Sequence, residues 1–283
     1  MSEDEAAGAA RAEGTPNFPP PWLPLLRRLT EVSPGWGVWK NADRAIAVSG
    51  DIDSISPPVD RKVLLREFFG WASENEMSPM FLCGHLPGSV LGVAVRDRRE
   101  LVELQLCEQA VFRGATLFTA RELRGLMIMD PRGFRRLRSG SEGLLLLFFN
   151  AMKRGGRPSF RNEKAQRVLG LMRDDPEGKE AAASLFGPVQ GSARRLAAAA
   201  LDGDWERRSA ARVEMWAVTQ ALKDPRLLVA RAAFRIGGGR YCPLLPTLRR
   251  GRMLNGDVDA WLARARRAHT RTPSWPKPQN GNR

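Results

Sequence analysis

The fold is decided by one stretch, Val48-Ser49-Gly50-Asp51-Ile52-Asp53-Ser54-Ile55, in which two aspartates follow a Ser-Gly turn and open an apolar segment. Side chains in a strand alternate between its two faces, so this spacing predicts that Asp51 and Asp53 share one face. Two like charges held that close repel each other, and a divalent cation between them removes the repulsion. Carboxylate oxygens are the ligands that Mg²⁺ prefers. The same triplet is also common in loops and in calcium-binding turns, so the motif alone leaves both interpretations open.

A third acid is predicted on a neighbouring strand. Residues 101–106, Leu-Val-Glu-Leu-Gln-Leu, alternate as a half-buried strand does. The alternation predicts that the even-numbered residues of this strand face the core and that Glu103 lies on the opposite face. Upstream, residues 36–41 predict a short strand that ends in Lys40 and Asn41. Acids of this kind hold the metal ions that clamp the attacking and leaving groups in phosphoryl and nucleotidyl transfer.

The order of these elements resembles the nucleotidyltransferase superfamily with the DNA polymerase beta-like catalytic fold. That order is a short strand, the Asp-x-Asp strand, further strands and then a strand with a lone acid. Within that superfamily, the likeness is to uncharacterised bacterial nucleotidyltransferase-like proteins that carry a Gly-Asp-Ile-Asp core. The resemblance covers roughly residues 36–115. It implies a nucleoside triphosphate substrate and two Mg²⁺ ions held by Asp51, Asp53 and Glu103, with Glu103 also helping to deprotonate the acceptor hydroxyl.

The chain departs from that superfamily before the first aspartate. Family members usually carry a Gly-Ser or Gly-Gly pair there, which opens a helix that grips the triphosphate, whereas residues 40–46 read Lys-Asn-Ala-Asp-Arg-Ala-Ile. Lys40 and Asn41 are the candidates for phosphate contact instead, because a lysine is a serviceable point charge for phosphate. Ser49 and Gly50, in the turn before the Asp-x-Asp strand, are further nucleotide-binding candidates. Without the glycine pair, a degenerate member of the superfamily is the alternative.

The charge of the chain favours a polyanionic partner. The 283 residues are 43% hydrophobic and 27% charged, as in an ordinary globular protein, but the formal net charge is +14 and the pI is about 10.9. Such an excess of positive charge attracts nucleic acid, nucleotide phosphates or an anionic membrane surface. The alternative is that arginine replaces lysine throughout because of a genome rich in G and C, which would carry no functional meaning.

The most basic part of the chain consists of residues 132–138 and the turn Lys153-Arg154-Gly155-Gly156-Arg157. Both groups are predicted to face the polyanion, with Arg154 and Arg157 contacting the nucleotide or the acceptor. The two glycines of the turn would let the backbone approach a phosphate closely. Charge runs are equally typical of a solvated face, so that alternative stays open.

Cysteine usage predicts a cytoplasmic protein. Cys83, Cys107 and Cys242 have no paired spacing, and with two histidines the chain carries no zinc-ligand pattern. Cys83 is interpreted as the end of a buried strand before a turn rather than as part of a thiol dyad with His85. The acidic N-terminus lacks the apolar segment of a signal peptide, and residues 144–149 are far shorter than the roughly 20 residues of a membrane span, so no membrane partner is expected.

These patterns predict an α+β fold, with a small mixed-sheet nucleotidyltransferase-like domain followed by an α-helical domain. The predicted divisions are a disordered tail at 1–18, the α/β domain at 19–138, the helical domain at 139–270 and a disordered tail at 271–283. Apolar spacing predicts helices at 22–32, 141–153, 193–201, 206–222, 225–236 and 254–268. Asp60 is a predicted N-cap, and Thr119 with Glu122 has the signature of a capping box.

Two functions of different classes follow from the sequence. The first is a metal-dependent nucleotidyltransferase that moves a nucleoside monophosphate to an unidentified acceptor, for which RNA is one candidate and a protein or small molecule are others. The second is a non-catalytic, degenerate protein of the same fold that acts as a basic nucleic-acid-binding or scaffold module. Its affinity would come from counterion release and would fall steeply with salt.

Overall fold

The computed structural model of the protein describes residues 22–47, 51–78, 80–86, 88–96, 100–112, 115–153, 160 and 162–236. Within these residues the chain is a mixed α+β protein with one seven-stranded mixed sheet and a two-stranded sheet. The strands are β1 Gly37–Lys40, β2 Asp51–Ile55, β3 Met80–Leu86, β4 Ser89–Arg96, β5 Glu100–Cys107, β6 Gln109–Phe112, β7 Ala115–Thr119, β8 Met127–Met129 and β9 Arg135–Leu137. The helices are α1 Trp22–Val32, α2 Ala42–Ala47, α3 Arg61–Glu74, α4 Ala120–Arg124, α5 Ser139–Lys153, α6 Glu163–Asp174, α7 Pro176–Ser184, α8 Gln190–Leu201, α9 Arg207–Gln220 and α10 Pro225–Ile236. The predicted tails at 1–18 and 271–283 and the predicted helix at 254–268 lie outside the described residues.

The strand that carries the two aspartates lies in the middle of the large sheet, whose order is β3-β4-β5-β2-β1-β9-β8. Strand β2 runs antiparallel to β1 and parallel to β5. Strands β3, β4 and β5 form an antiparallel series, and β9 runs parallel to β1. The ladder with β5 pairs every residue of β2, and the ladder with β1 pairs residues 53–55 a second time.

One face of the large sheet is buried by α1 and α3. Ile52 of β2 and Leu104 of β5 are fully buried there in one core with Phe68 of α3. Trp22 and Trp71, from the two helices, stack with their ring centroids 5.3 Å apart. The predicted alternation of residues 101–106 is confirmed, since every even-numbered residue of that segment belongs to this core. The predicted helix at 22–32 is also confirmed, with α1 beginning and ending at those residues.

The opposite face of the large sheet packs against helices that follow it in the sequence. Trp39 of β1, Ile55 of β2 and Leu137 of β9 share one core with residues of α5 to α9. The Trp39 ring meets Phe149 of α5 edge to face, at 5.5 Å between centroids. Positions 51 and 53 lie on this same face of β2, because residues two and four positions before Ile55 project from the same side of a strand. The predicted division into two domains at residue 138 stays a prediction, since this core extends across it.

Helix α5 is fixed at its start by a close contact with α7. At Gly140 a Cβ atom would overlap the carbonyl oxygen of Asp175, so only glycine fits. The Asp175 carboxylate accepts hydrogen bonds from Arg138 at 2.6 Å, from the Gly178 N–H at 2.9 Å and from the Gly140 N–H at 3.1 Å. Burial alone would raise the pKa of Asp175, but these hydrogen bonds together lower it below its ordinary value. The contact sets where α5 begins and therefore where its first turn meets β1.

The two predicted helix caps have different outcomes. The capping box before α4 is confirmed, because Thr119 N–H donates to Glu122 at 2.7 Å and Glu122 N–H donates to the Thr119 hydroxyl at 3.3 Å. Asp60 is the N-cap residue of α3, as predicted, but its side chain makes no capping hydrogen bond to the helix. Its Oδ2 instead accepts a hydrogen bond from Ser33 Oγ at 2.6 Å, which ties the end of α1 to the start of α3.

Candidate acidic site at the centre of the sheet

The three predicted acids occupy neighbouring positions on two adjacent parallel strands. Asp51 of β2 is paired in register with Glu103 of β5, and Asp53 is paired with Gln105. Paired residues on adjacent strands are roughly 4.8 Å apart in the hydrogen-bonding direction and project from the same face of a sheet. The register therefore puts positions 51, 53 and 103 on one face. The side chains of Asp53 and Glu103 are buried, with 4% and 5% of their surface exposed.

A lysine lies directly on one of these acids. Lys40 is paired with Asp53 across the β1–β2 ladder, and its Nζ lies 3.0 Å from Asp53 Oδ1. The ladder is irregular between Val38 and Lys40, as in a β-bulge. A bulge re-aims the side chains that follow it, and it accounts for Lys40 joining the face of Asp53 directly after Trp39. The ammonium supplies a positive charge to a buried carboxylate, and it also lies 5.0 Å from the centre of the Trp39 ring.

The turn after Lys40 has a glycine-like backbone although it contains no glycine. Asn41 has a φ of 60°, in the left-handed region that glycine adopts freely and that asparagine tolerates better than most residues. Helix α2 begins at the next residue and is six residues long. A short helix thus starts where the resemblance implies the phosphate-gripping helix. Asn41 therefore has a left-handed backbone at the position where the resemblance led us to expect a glycine pair.

Two residues from later helices hold Asn41 in place. The Asn41 N–H donates to Glu142 Oε1 at 2.8 Å, and Arg167 Nη2 donates to Asn41 Oδ1. Arg167 Nη1 also lies 3.6 Å from Glu142 Oε1, so the three groups form one connected network. Sequence reasoning did not identify this network. A signal was present in Glu142, a lone acid beside the uninterrupted apolar run of α5, where a charged residue needs a buried partner.

The carboxylate of Glu142 is almost completely removed from solvent, with 3% of its surface exposed. Burial raises the pKa of Glu142 above its ordinary value, because desolvation disfavours the charged form. The hydrogen bond from Asn41 and the positive charges of Arg167 and Arg136 oppose this rise, while the negative charge of Asp43 adds to it. The network is therefore sensitive to the charge state of one buried acid.

The arginines of residues 132–138 are bound mainly within the protein. Arg132 and Arg136 each contact the carboxylates of Asp43 and Asp130. Arg135 donates to the carbonyl oxygens of Ser33 and Trp36, and Arg138 contacts Asp175 and Glu177. These contacts tie the guanidinium groups to the protein's own acids and carbonyls. The prediction that this run is the surface facing a polyanion stays a prediction.

Several predicted site residues cannot be placed in this geometry. Ser49, Gly50, Arg154 and Arg157 lie outside the described residues. Asp51 is described as a strand residue, but its side chain is not among those described. Among the side chains that the structure does describe, no three or more His, Cys, Asp or Glu residues lie close enough together to hold a metal ion. That set leaves out Asp51, so the metal site of Asp51, Asp53 and Glu103 stays a prediction.

Comparison with known proteins finds no matching family model, no matching curated protein and no matching solved structure. Of the helices within the described part of the chain, none is both long enough and apolar enough to cross a membrane. The candidate function therefore depends on the arrangement of residues in this chain.

Proposed function

We propose that the protein is a metal-dependent nucleotidyltransferase that moves a nucleoside monophosphate from a nucleoside triphosphate to an acceptor, with RNA as the first acceptor to test. The observation that carries the proposal is the register of β2 and β5, in which Asp51 is paired with Glu103 and Asp53 is two residues further along. An all-oxygen donor set on one face of a sheet suits Mg²⁺, which prefers hard carboxylate ligands. The residues present therefore fit the ion that the resemblance implies.

Each residue has a distinct role in this proposal. Asp51, Asp53 and Glu103 would hold Mg²⁺, which when bound neutralises negative charge on phosphate oxygens and orients the reacting groups. Glu103 would also accept a proton from the acceptor hydroxyl. Lys40 is the candidate for phosphate contact, because its side chain is 28% exposed and its ammonium already lies at the acidic face.

The remaining nucleotide contacts in the proposal come from the sequence. Ser49 and Gly50 precede the Asp-x-Asp strand, and Arg154 and Arg157 follow α5. Asn41 is assigned a backbone role, since its side chain and its N–H already bind Arg167 and Glu142.

The direct test is transfer of label from nucleoside triphosphates that carry the label on the α-phosphate. The protein is incubated with each of the four nucleotides, Mg²⁺ or Mn²⁺, and total RNA, and label is then sought in RNA, in the protein and in small molecules. The informative variants are Asp51→Asn and Glu103→Gln, which keep side-chain size and remove charge. Asp202→Asn, at an exposed acid after α8, is the matched control.

The outcomes separate the proposal from its alternatives. Label that is transferred by the wild type and by the Asp202 variant, and is lost in the two site variants while they remain folded, supports the enzyme. Absence of label in all three fractions with every nucleotide and both metals contradicts it. Binding of Mn²⁺, followed as a rise in the unfolding temperature, is measured beside transfer because it needs no knowledge of the acceptor.

The second candidate is a non-catalytic nucleic-acid-binding or scaffold protein. The contact between Lys40 and Asp53 favours it, because a side-chain ammonium already supplies positive charge to a carboxylate that a metal would otherwise neutralise. In that case transfer and metal binding fail in the wild type, while RNA binding is retained. Its affinity would then fall by orders of magnitude between about 50 and 200 mM salt, as expected when counterion release drives binding.

A further inference from the structure

The end of β1 is joined to the helices that follow the sheet through the turn at Asn41. Glu142 of α5 accepts the Asn41 N–H at 2.8 Å, and Arg167 of α6 donates to the Asn41 side-chain oxygen. Arg167 and Glu142 are also within 3.6 Å of each other. Two helices thus meet at one residue of the turn, and the residue immediately before it is the lysine that contacts Asp53.

The backbone at Asn41 needs this support. A non-glycine residue with positive φ is strained, and such a conformation persists only where the surroundings over-determine it. Arg167 donates to the side-chain oxygen of Asn41, and the Asn41 N–H donates to Glu142. Both the side chain and the backbone of Asn41 are thereby held, which favours one conformation of the turn. Without these hydrogen bonds the turn would relax, and the end of β1 would lose its alignment with β2.

We propose that Glu142 and Arg167 are positioning residues that fix the turn at Asn41 and thereby hold the Lys40 ammonium on Asp53. Their effect on catalysis rests on the proposed nucleotidyltransferase function, but their effect on Lys40 does not. The burial of Glu142 supports the assignment. Glu142 is 3% exposed and lies in the first turn of α5, two residues after Gly140, whose backbone packs closely against the start of α7. Lys40 is thereby tied, through Asn41, to the second half of the chain.

The proposal is tested by the chemical reactivity of Lys40. The folded protein is treated briefly with an amine-acylating reagent, and the extent of modification at each lysine is read by mass spectrometry. Glu142→Ala removes the acceptor of the Asn41 N–H, and Arg167→Met removes the donor to its side chain. We expect Lys40 to react faster in both variants, by up to roughly thirtyfold, which is the factor for complete release of an ammonium from a charge-assisted hydrogen bond of about 2 kcal/mol. Lys62, an exposed lysine of α3, is the reference within each sample.

Two further variants, each of which keeps part of the turn's support, separate a positioning role from a general loss of structure. Glu142→Gln keeps an oxygen that can accept the Asn41 N–H, so Lys40 should react at the wild-type rate. Asn41→Gly removes the side-chain contact with Arg167 but tolerates the left-handed backbone, so the rate should rise by less than in Arg167→Met. Arg167 is 32% exposed at its side chain, which makes Arg167→Met the variant that keeps the test available if Glu142→Ala does not fold.

The outcome for this proposal can be separated from the outcome for transfer. An unchanged Lys40 rate in folded Arg167→Met and Glu142→Ala overturns the positioning role, whether or not the wild type transfers nucleotide. A faster Lys40 rate in both, with Glu142→Gln unchanged, supports it even if the wild type transfers no label. Where the wild type does transfer label, Arg167→Met should raise the KM for the nucleoside triphosphate more than it lowers kcat, because the variant disturbs a phosphate contact rather than the metal ligands.

Discussion

Replacing Lys40 with methionine is the sharpest test of the acidic site. The change removes the ammonium from Asp53 and keeps an unbranched side chain of similar length. The two charged atoms lie 3.0 Å apart, with the Asp53 side chain 5% and the Lys40 side chain 28% exposed. The variant therefore leaves a buried carboxylate that has lost one of its stabilising contacts.

The size of the effect follows from this geometry. At 3.0 Å, two unit charges attract by about 5.5 kcal/mol if the effective dielectric constant is ~20. Desolvation of both ions offsets more than half of this attraction, and hydrogen bonds between charged groups typically retain about 1.5–3 kcal/mol. We expect Lys40→Met to lower the free energy of unfolding by about 2–3 kcal/mol, and the coupling energy of Lys40 with Asp53 to be about 2 kcal/mol.

The assay is a double-mutant cycle measured by urea unfolding at neutral pH. The cycle compares the wild type, Lys40→Met, Asp53→Asn and the double variant, so that effects of either substitution on the unfolded chain cancel. Arg28 and Glu74 provide a matched control, because they form an ion pair of similar length, 2.8 Å, with side chains that are 40% and 54% exposed. Exposed pairs of this kind contribute about 0.2–1 kcal/mol.

The result that would refute this reasoning is a small coupling at the buried pair. A value for Lys40 and Asp53 below about 0.5 kcal/mol, within the usual error of additivity, means that the ammonium does not stabilise the carboxylate. A coupling no larger than that of Arg28 with Glu74 leads to the same conclusion, since burial would then add nothing to the pair.

Two further predictions concern α5 and its neighbours. Gly140→Ala should lower the free energy of unfolding by about 3 kcal/mol or more, because its Cβ would overlap the backbone at the start of α7. Gly170→Ala in α6, where a Cβ meets open space, should instead raise the free energy of unfolding by about 0.5–1 kcal/mol. Thermal and urea unfolding measure both changes. Glu142→Gln should become more stable relative to the wild type as the pH rises. Burial raises the folded-state pKa of Glu142 above the ordinary 4.5, so as the pH rises past 4.5 the carboxyl ionises in the unfolded chain before it ionises in the folded protein, and the wild type loses stability; glutamine cannot ionise. Equal pH dependence of the two proteins would contradict this.

The acidic positions could be predicted from the sequence because they follow a local rule. Alternation along residues 101–106 separates Leu104 from Glu103, and the same period of two places Asp51 and Asp53 together. Hydrophobic burial enforces that parity, since a slip of one residue would move Leu104 to the face of the acids and put Glu103 into the apolar core with Phe68. The register in which Asp51 pairs with Glu103 follows from no such local rule; the sequence predicted only that Glu103 lies on a strand neighbouring that of the two aspartates, and the β2–β5 ladder supplies the register.

The contacts that hold the turn at Asn41 could not be predicted because they join distant parts of the chain. Glu142 and Arg167 lie 101 and 126 residues away from Asn41. No local pattern connects them, and the positive φ of Asn41 has no signature in a segment without glycine. Strand β9 escaped prediction for a related reason. Its Arg135 and Arg136 have the composition of a surface run, and pairing with β1 and β8 makes the segment a strand.

The Lys40–Asp53 contact has a different energetic consequence for each of the two proposed functions. An ammonium and a divalent cation are alternative sources of positive charge for the same carboxylate, so Mg²⁺ must displace or repel Lys40 to bind there. A coupling of about 2 kcal/mol would weaken metal binding roughly thirtyfold relative to a site without the lysine, because every 1.4 kcal/mol is a factor of ten. An enzyme recovers this loss if the released ammonium binds the triphosphate, so that metal and nucleotide bind more tightly together than apart. A scaffold protein binds no triphosphate that could offset this weaker metal binding, and in it the lysine would keep metal from binding at Asp53.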